Sequence, residues 1–169
     1  MTRQPTLSIH PLFLPLLIIE LSILSSVSRQ NWADDLLNVF EQKTGQHGWA
    51  DRPIGNPLEI DFTGATRTLN FIARSLVLES MRLKWTLLML ENIERYTQSL
   101  ATYDSYRSNL EESGKKVEEL VAYHTVTVRS NLLRAECQEK KTQSQIAVVI
   151  TPSLSLPFTS LTLLRWEAG

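Results

Sequence analysis

Few side chains in this sequence stand at spacings that could support catalysis or bind a metal ion. The three histidines, His10, His47 and His124, lie far apart, although histidine is the commonest general base and a frequent zinc ligand. One helical turn on either side of His124 stand Leu120 and Val128, which carry no ligand atom. A phosphate-binding glycine loop, a nucleophile elbow and a His-Glu-x-x-His motif are absent from the sequence. We therefore expect no catalytic residues, no cofactor and no metal site.

Two carboxylate pairs and one cysteine complete the reactive groups. Asp34-Asp35 and Glu111-Glu112 are adjacent acidic pairs, which suit a solvated helix surface and otherwise offer weak oxygen contacts to divalent ions. Carboxylates flank Cys137 in a polar helical stretch, which predicts an unreactive surface or interface thiol. These groups predict a surface without enzymatic activity.

The composition excludes several classes of function. The 169 residues suffice for one ordinary domain, and 43% apolar with 21% charged residues excludes a disordered polyelectrolyte. A net charge of −1 gives no global attraction to nucleic acid or to an anionic membrane. A single cysteine fits a reducing compartment, so we expect a cytoplasmic chain without nucleic-acid partners.

Two long segments with helical periodicity must position any functional surface. They run from about Ala65 to Tyr103 and from about Ser105 to Val149, and Asp61 or Thr63 is expected to cap the first. The predicted seam, along which these helices associate, comprises ten residues: Leu69, Ile72, Leu76, Leu83, Leu87, Leu90, Val117, Val121, Val128 and Leu132.

The length of the second segment calls for a neighbour. A continuous helix there would span roughly 65 Å at 1.5 Å per residue. Its last part, from Ala135 to Gln145, is strongly polar. Such a helix needs an antiparallel partner or other subunits beside it. The block Leu87-Leu88-Met89-Leu90 is apolar on all sides, which predicts that it lies deepest in the fold.

The apolar run from Leu12 to Leu24 has three possible interpretations. It could be a buried helix, a signal peptide cleaved near Ser26 or Ser28, or a membrane anchor. Glu20 interrupts the run, which is also shorter than the roughly 20 apolar residues of a membrane span. We expect a buried helix and no membrane span.

The remaining segments complete the predicted organisation. Residues 1–60 are expected to form short helices, with a second helix at Arg29–Lys43 and a Gly/Pro-rich loop at Thr44–Pro57. Residues 61–149 form the long-helix hairpin, and residues 150–169 an irregular tail that contains two prolines. The fold class is therefore mostly α, an antiparallel pair of long helices plus shorter N-terminal helices.

Three stretches of the sequence together resemble the pattern of a known protein family. His10 to Leu21 contains His-Pro-Leu, Leu-Pro and Glu-Leu elements, Leu87 to Leu100 leads into a polar loop, and Leu133 to Val149 ends on Lys-Thr-Gln-Ser-Gln-x-x-Val-Val. Together they resemble the cytosolic region of fungal CorA-like magnesium transporter proteins. The likeness covers roughly residues 8 to 149.

The resemblance implies a stalk helix that lines a pentamer, related transporter subunits as partners and Mg²⁺ as the transported ion. It also implies membrane association within the full family architecture. From Ile150 the sequence departs from the family, and the Gly-Met-Asn tripeptide of its pore loop is absent. We therefore expect a truncated cytosolic part that is not transport-competent alone and that acts through helix-mediated association.

Two alternatives remain open beside the transporter fragment: a soluble coiled-coil interaction protein and a small secreted helical protein. Charged residues in place of Leu87 and Leu90 should unfold either of the first two proteins. Replacement of Gln143 and Gln145 should matter only where stalk helices meet. Cleavage near Ser26 or Ser28 would instead favour the secreted protein.

Overall fold

Three long helices make up the described structure. The structure, a computed structural model, describes residues 10–45, 60–100, 102 and 104–163, except for the side chains of 104–111 and 151–163. The helices are α1 (Phe13–Thr44), α2 (Phe62–Leu100) and α3 (Asp104–Leu163), and these residues contain no strand. The predicted fold class, mostly α with long helices packed against each other, is confirmed.

Helix α1 is one continuous helix of 32 residues, whereas the sequence predicted two shorter helices. The stretch from Ser25 to Ser28, where a break was expected, contains neither glycine nor proline, so nothing interrupts the backbone hydrogen bonds. The side chain of Ser26 is buried at this point of the continuous helix. The prediction of separate N-terminal helices is corrected accordingly.

The ends of α1 and α2 are defined by specific local contacts. Nδ1 of His10 accepts a hydrogen bond of 3.1 Å from the Leu12 N–H just before α1, and Gly45 follows α1 with a φ of 71°. At the start of α2, Oδ1 of Asp61 accepts from the N–H groups of Thr63 and Gly64, each at 3.1 Å. Asp61 is therefore the predicted N-cap of α2.

Helix α3 has 60 residues and extends past Val149 to Leu163. An irregular tail was predicted from residue 150 because Pro152 and Pro157 each remove one amide donor. The helix nevertheless continues through both prolines to Leu163. The predicted loop beyond Gly45, the predicted break at Tyr103 and residues 164–169 lie outside the described residues.

The chain forms two compact units, each built from parts of all three helices. The first unit comprises Met1–Gln30 and Leu78–Ala135, and the second comprises Asn31–Val77 and Glu136–Gly169. The buried apolar residues of the first core are Leu12, Leu16, Ile19, Ile23, Leu83, Leu90, Ile93, Val117, Val121, Val128 and Ala135. Those of the second core are Ala33, Leu37, Ala65, Leu69, Ile72, Leu76 and Val149.

Candidate functional site

Most of the predicted seam is buried inside the chain. Eight of its ten residues are in the two cores, three of them in the second unit and five in the first. The other two, Leu87 and Leu132, are partly buried against the core of the first unit. The helical periodicity thus identified the inner faces of α2 and α3. Whether any of these residues also associates with another chain stays a prediction.

Helix α1 exposes a second apolar face opposite its buried one. The outer face of α1, as we call it, consists of Leu14, Leu17, Ile18, Leu21 and Leu24, each more than one-third exposed. Leu16, Ile19 and Ile23 on the inner side are buried in the core of the first unit. The helix is therefore apolar around most of its circumference over this stretch. Soluble helices that are apolar all round are normally covered on every side.

Helix α2 also carries large apolar side chains away from its core. The outer face of α2 comprises six residues within the first unit: Leu78, Met81, Trp85, Leu88, Met89 and Tyr96. Trp85 is 65% exposed. This face corrects the expectation that Leu87-Leu88-Met89-Leu90 lies deepest. Leu90 is buried, whereas Leu88 and Met89 are each 48% exposed, because only one side of α2 contacts α1 and α3.

A charged cluster lies within the first unit. The side chain of Glu79 on α2 is only 3% exposed, and its two oxygens accept hydrogen bonds from Nε and Nη2 of Arg29 on α1. Arg82 contributes a further contact at 3.4 Å, and Nη1 of Arg29 donates to the Ser25 hydroxyl at 2.6 Å. Burial tends to raise the pKa of the Glu79 carboxyl, but the hydrogen bonds from Arg29 and the charges of Arg29 and Arg82 outweigh it. The pKa of Glu79 is therefore lowered, and the group is a structural ion pair in its charged form.

The two described histidines, His10 and His124, belong to no group of side chains that could hold a metal ion among the described residues. His10 and His124 are both buried, and burial lowers the pKa of each, while the charge of Glu20 partly opposes the effect at His124. Nδ1 of His124 has no hydrogen-bond partner among the described residues, and His47 lies outside them. Cys137 is exposed, and the described residues contain no group of acidic, histidine or cysteine side chains that could hold a metal ion.

An open groove of about 570 Å³ lies between α2 and α3 in the first unit. Two carboxylates, those of Glu94 and Glu118, and the guanidinium of Arg129 line it. The remaining lining residues are Thr97, Gln98, Val121, Ala122 and Thr125. The groove is open and charges of both signs line it, unlike the enclosed and mainly apolar sites that bind small molecules.

The second unit has its own polar contacts between α1 and α3. Nζ of Lys141 lies 2.9 Å from the Glu41 carboxylate, and the Thr44 hydroxyl donates to Oε1 of Gln145 at 3.0 Å. Gln145 is buried, so its amide contacts α1 of the same chain. Gln143, in contrast, is exposed. The expectation that both glutamines matter only where stalk helices meet therefore holds no longer for Gln145.

Functional clues for this chain come from its own structure, above all from the exposed outer faces of α1 and α2. No family model matches the chain, and neither a curated protein nor a solved structure is similar to it. Helix α1 is long and apolar enough to cross a membrane, but the core helix of a soluble protein or a signal sequence has the same properties.

The sequence analysis did not identify the outer face of α1 or the outer face of α2. The three-and-four spacing of Leu78, Met81, Trp85 and Leu88 was the signal that could have shown one of them.

Proposed function

We propose that this chain acts through helix-mediated association with further copies of itself, and not through catalysis. The observation that carries the proposal is the outer face of α1, where five leucine and isoleucine side chains stay exposed opposite a buried face. Each buried CH₂ group contributes about 0.8 kcal/mol on removal from water. Exposure of this face in a lone chain is therefore costly, and contact with a second helix would relieve it.

The resemblance of the sequence to CorA-like magnesium transporters suggests a setting for this association. There the partners would be related subunits, and the chain would belong to the assembly region of such a protein and not to its ion pathway. A stalk role is compatible with the 60 residues of α3, which correspond to about 90 Å of helix. A transcript that continues past the codons for Val148 to Pro152 into two apolar spans with Gly-Met-Asn would support this setting. A message that ends after Gly169 would argue for a separate interaction protein.

If the chain were a secreted protein, signal-peptide cleavage would remove the first part of α1. Cleavage near Ser26 would remove Leu16, Ile19 and Ile23, which are part of the first core. The N-terminal sequence of the mature protein decides between the two. A mature chain that begins after Ser26 would contradict the association proposal, because the outer face of α1 would be lost with the cleaved segment.

Sedimentation velocity of the purified full chain tests the proposal directly. We expect a mass that is a multiple of the 19.3 kDa chain mass at micromolar concentration. Ile18→Glu combined with Leu21→Glu should lower that mass, because it places two charges on the outer face of α1. Ser28→Glu is the matched control, since it adds a charge on the same helix at an exposed position that is already polar.

Two results would overturn the proposal. The first is a wild-type chain that sediments at 19.3 kDa up to about 100 µM, where even weak self-association of about 6 kcal/mol would be visible. The second is binding of the wild-type chain to phosphatidylcholine vesicles that the double α1 variant loses. That result would assign the outer face of α1 to lipid.

A further inference from the structure

The exposed residues along the outer face of α2 are regularly spaced and not randomly scattered. Leu78, Met81, Trp85, Leu88 and Asn92 follow one another at intervals of three, four, three and four. This is the a/d pattern of a heptad repeat, by which one helix packs against another. The inner face of α2 already contacts α1 and α3 through Leu83 and Leu90. Helix α2 therefore has two seams, and the described residues cover only one of them.

The residue types of this second seam are those of protein interfaces. Tryptophan, tyrosine and methionine are enriched in interface cores, and the outer face of α2 carries Trp85, Tyr96, Met81 and Met89. Six large side chains that are about half exposed present about 600 Å² per copy, taking roughly 200 Å² for each whole side chain. A stable complex buries about 800 Å² per partner, so contacts at the rim would complete an interface of ordinary size.

We propose that the outer face of α2 binds the same face of a second copy of this chain in an antiparallel helix pair. The proposal rests on the association function proposed above and names the partner and the register of one interface. In this register, Trp85 packs opposite Leu88 of the second copy. By the two-fold symmetry of such a contact, Leu88 then packs opposite Trp85 of the second copy.

The charges beside the seam favour the antiparallel orientation. Lys84 and Glu91 are exposed and stand at equivalent heptad positions next to the apolar stripe. In the antiparallel register, Lys84 of one copy lies beside Glu91 of the other, and the pair occurs twice. A parallel pair would place Lys84 beside Met89 and would leave Glu91 beside Tyr96. Opposite charges that flank a seam set the orientation of paired helices.

Equilibrium sedimentation of the full chain tests the interface. Trp85→Glu should weaken the two-fold contact by about 100-fold, because truncation of a central aromatic residue removes a large share of the binding energy. Leu88→Glu should act in the same direction and provides a second, independent substitution. Val126→Glu is the matched control, since Val126 is 68% exposed on α3 of the same unit but lies off the seam. Far-ultraviolet circular dichroism of each variant verifies that the helices are retained.

A charge exchange tests the register. Lys84→Glu should weaken association by roughly tenfold, since it creates two repulsive contacts with Glu91. Lys84→Glu together with Glu91→Lys should restore the affinity of the wild-type chain, because the two attractive pairs are re-formed in reverse. A double variant as weak as the single one would overturn the antiparallel register.

The outcomes distinguish this inference from the proposed function. The α2 interface is supported if the α1 double variant sediments at twice the chain mass and the addition of Trp85→Glu to that variant lowers this mass. If Trp85→Glu and Leu88→Glu both leave the wild-type assembly unchanged, the α2 interface is overturned while association through α1 stands. A wild-type chain that remains at 19.3 kDa overturns both.

Discussion

Arg29 of α1 and Glu79 of α2, fifty positions apart in the sequence, form a two-pronged ion pair in the first unit. Nε of Arg29 lies 2.5 Å from Oε2 of Glu79, and Nη2 lies 3.2 Å from Oε1. The carboxylate is almost fully buried, whereas 41% of the arginine side chain is exposed. The pair fixes the register of α1 against α2, because a shift of either helix by one residue would leave a buried carboxylate without its donors.

Removal of Arg29 should destabilise the chain much more than removal of both partners. Arg29→Met leaves Glu79 buried with one weak contact from Arg82, and the expected cost is about 3 kcal/mol in the free energy of unfolding. Arg29→Met combined with Glu79→Met should be close to the wild type, because no buried charge remains. Urea titrations of Arg29→Met, Glu79→Met and the double variant measure the coupling between the two residues. Equal losses in Arg29→Met and in the double variant would contradict it.

The same pair should make the chain sensitive to acid. Because the pKa of Glu79 is lower in the folded chain than in the unfolded one, its contribution is present above about pH 4.5 and is lost as the pH falls through the folded-state pKa. The stability of the Glu79→Met variant should therefore fall less than that of the wild type between about pH 5 and about pH 3, the range in which ordinary carboxyl groups titrate. Thermal midpoints across this range provide the measurement. Parallel curves for the two proteins would show that Glu79 titrates normally.

His124 should add a second loss of stability at milder pH. Burial lowers its pKa in the folded chain, so the unfolded chain takes up a proton first as the pH falls below about 6.5. His124→Leu should reduce the pH dependence of the unfolding free energy between about pH 7 and pH 5. Glu20→Gln should enlarge it, because the charge of Glu20 raises the pKa of His124. If Glu20→Gln reduces the pH dependence instead, another group is responsible for it.

The N-cap of α2 provides a local test. Asp61→Ala should lower the stability by about 1 kcal/mol, since the N–H groups of Thr63 and Gly64 lose their acceptor. Asp61→Asn retains an acceptor oxygen and should cost less. Chemical denaturation measures both differences. Equal losses in the two variants would point to the charge of Asp61 and not to its hydrogen bonds.

Burial separates leucines that the sequence cannot rank. Leu90→Ala should cost about 2–5 kcal/mol, because Leu90 is enclosed in the first core. Leu133→Ala, at a position that is 64% exposed on α3, should cost less than about 0.5 kcal/mol. Neither residue belongs to the outer face of α1 or the outer face of α2, so the expected difference comes from burial within the chain. A large loss in Leu133→Ala would mean that Leu133 is covered in the assembled protein.

Local physics made much of this fold predictable. The spacing of Leu69, Ile72, Leu76 and Leu83 identified the inner face of α2, because a helix with 3.6 residues per turn brings such positions to one side. The sequence offered Asp61 or Thr63 as the cap of α2, and the structure assigns it to Asp61. The continuity of α1 was not foreseen, since three serines near its middle resemble a boundary although nothing in the stretch breaks a helix.

The sequence by itself determined that the chain is mostly helical, which apolar positions of α2 and α3 share a side and that α2 begins near Asp61. These features depend on residues within one or two turns of each other. Only the tertiary structure decided which side is covered. Leu87 to Leu90 is apolar on every side, so its periodicity could not tell that Leu90 is buried while Leu88 and Met89 are exposed. The tertiary structure also paired Arg29 with Glu79, 50 positions apart, and Thr44 with Gln145, 101 positions apart. Such pairs depend on how whole helices pack, and no local pattern encodes that packing.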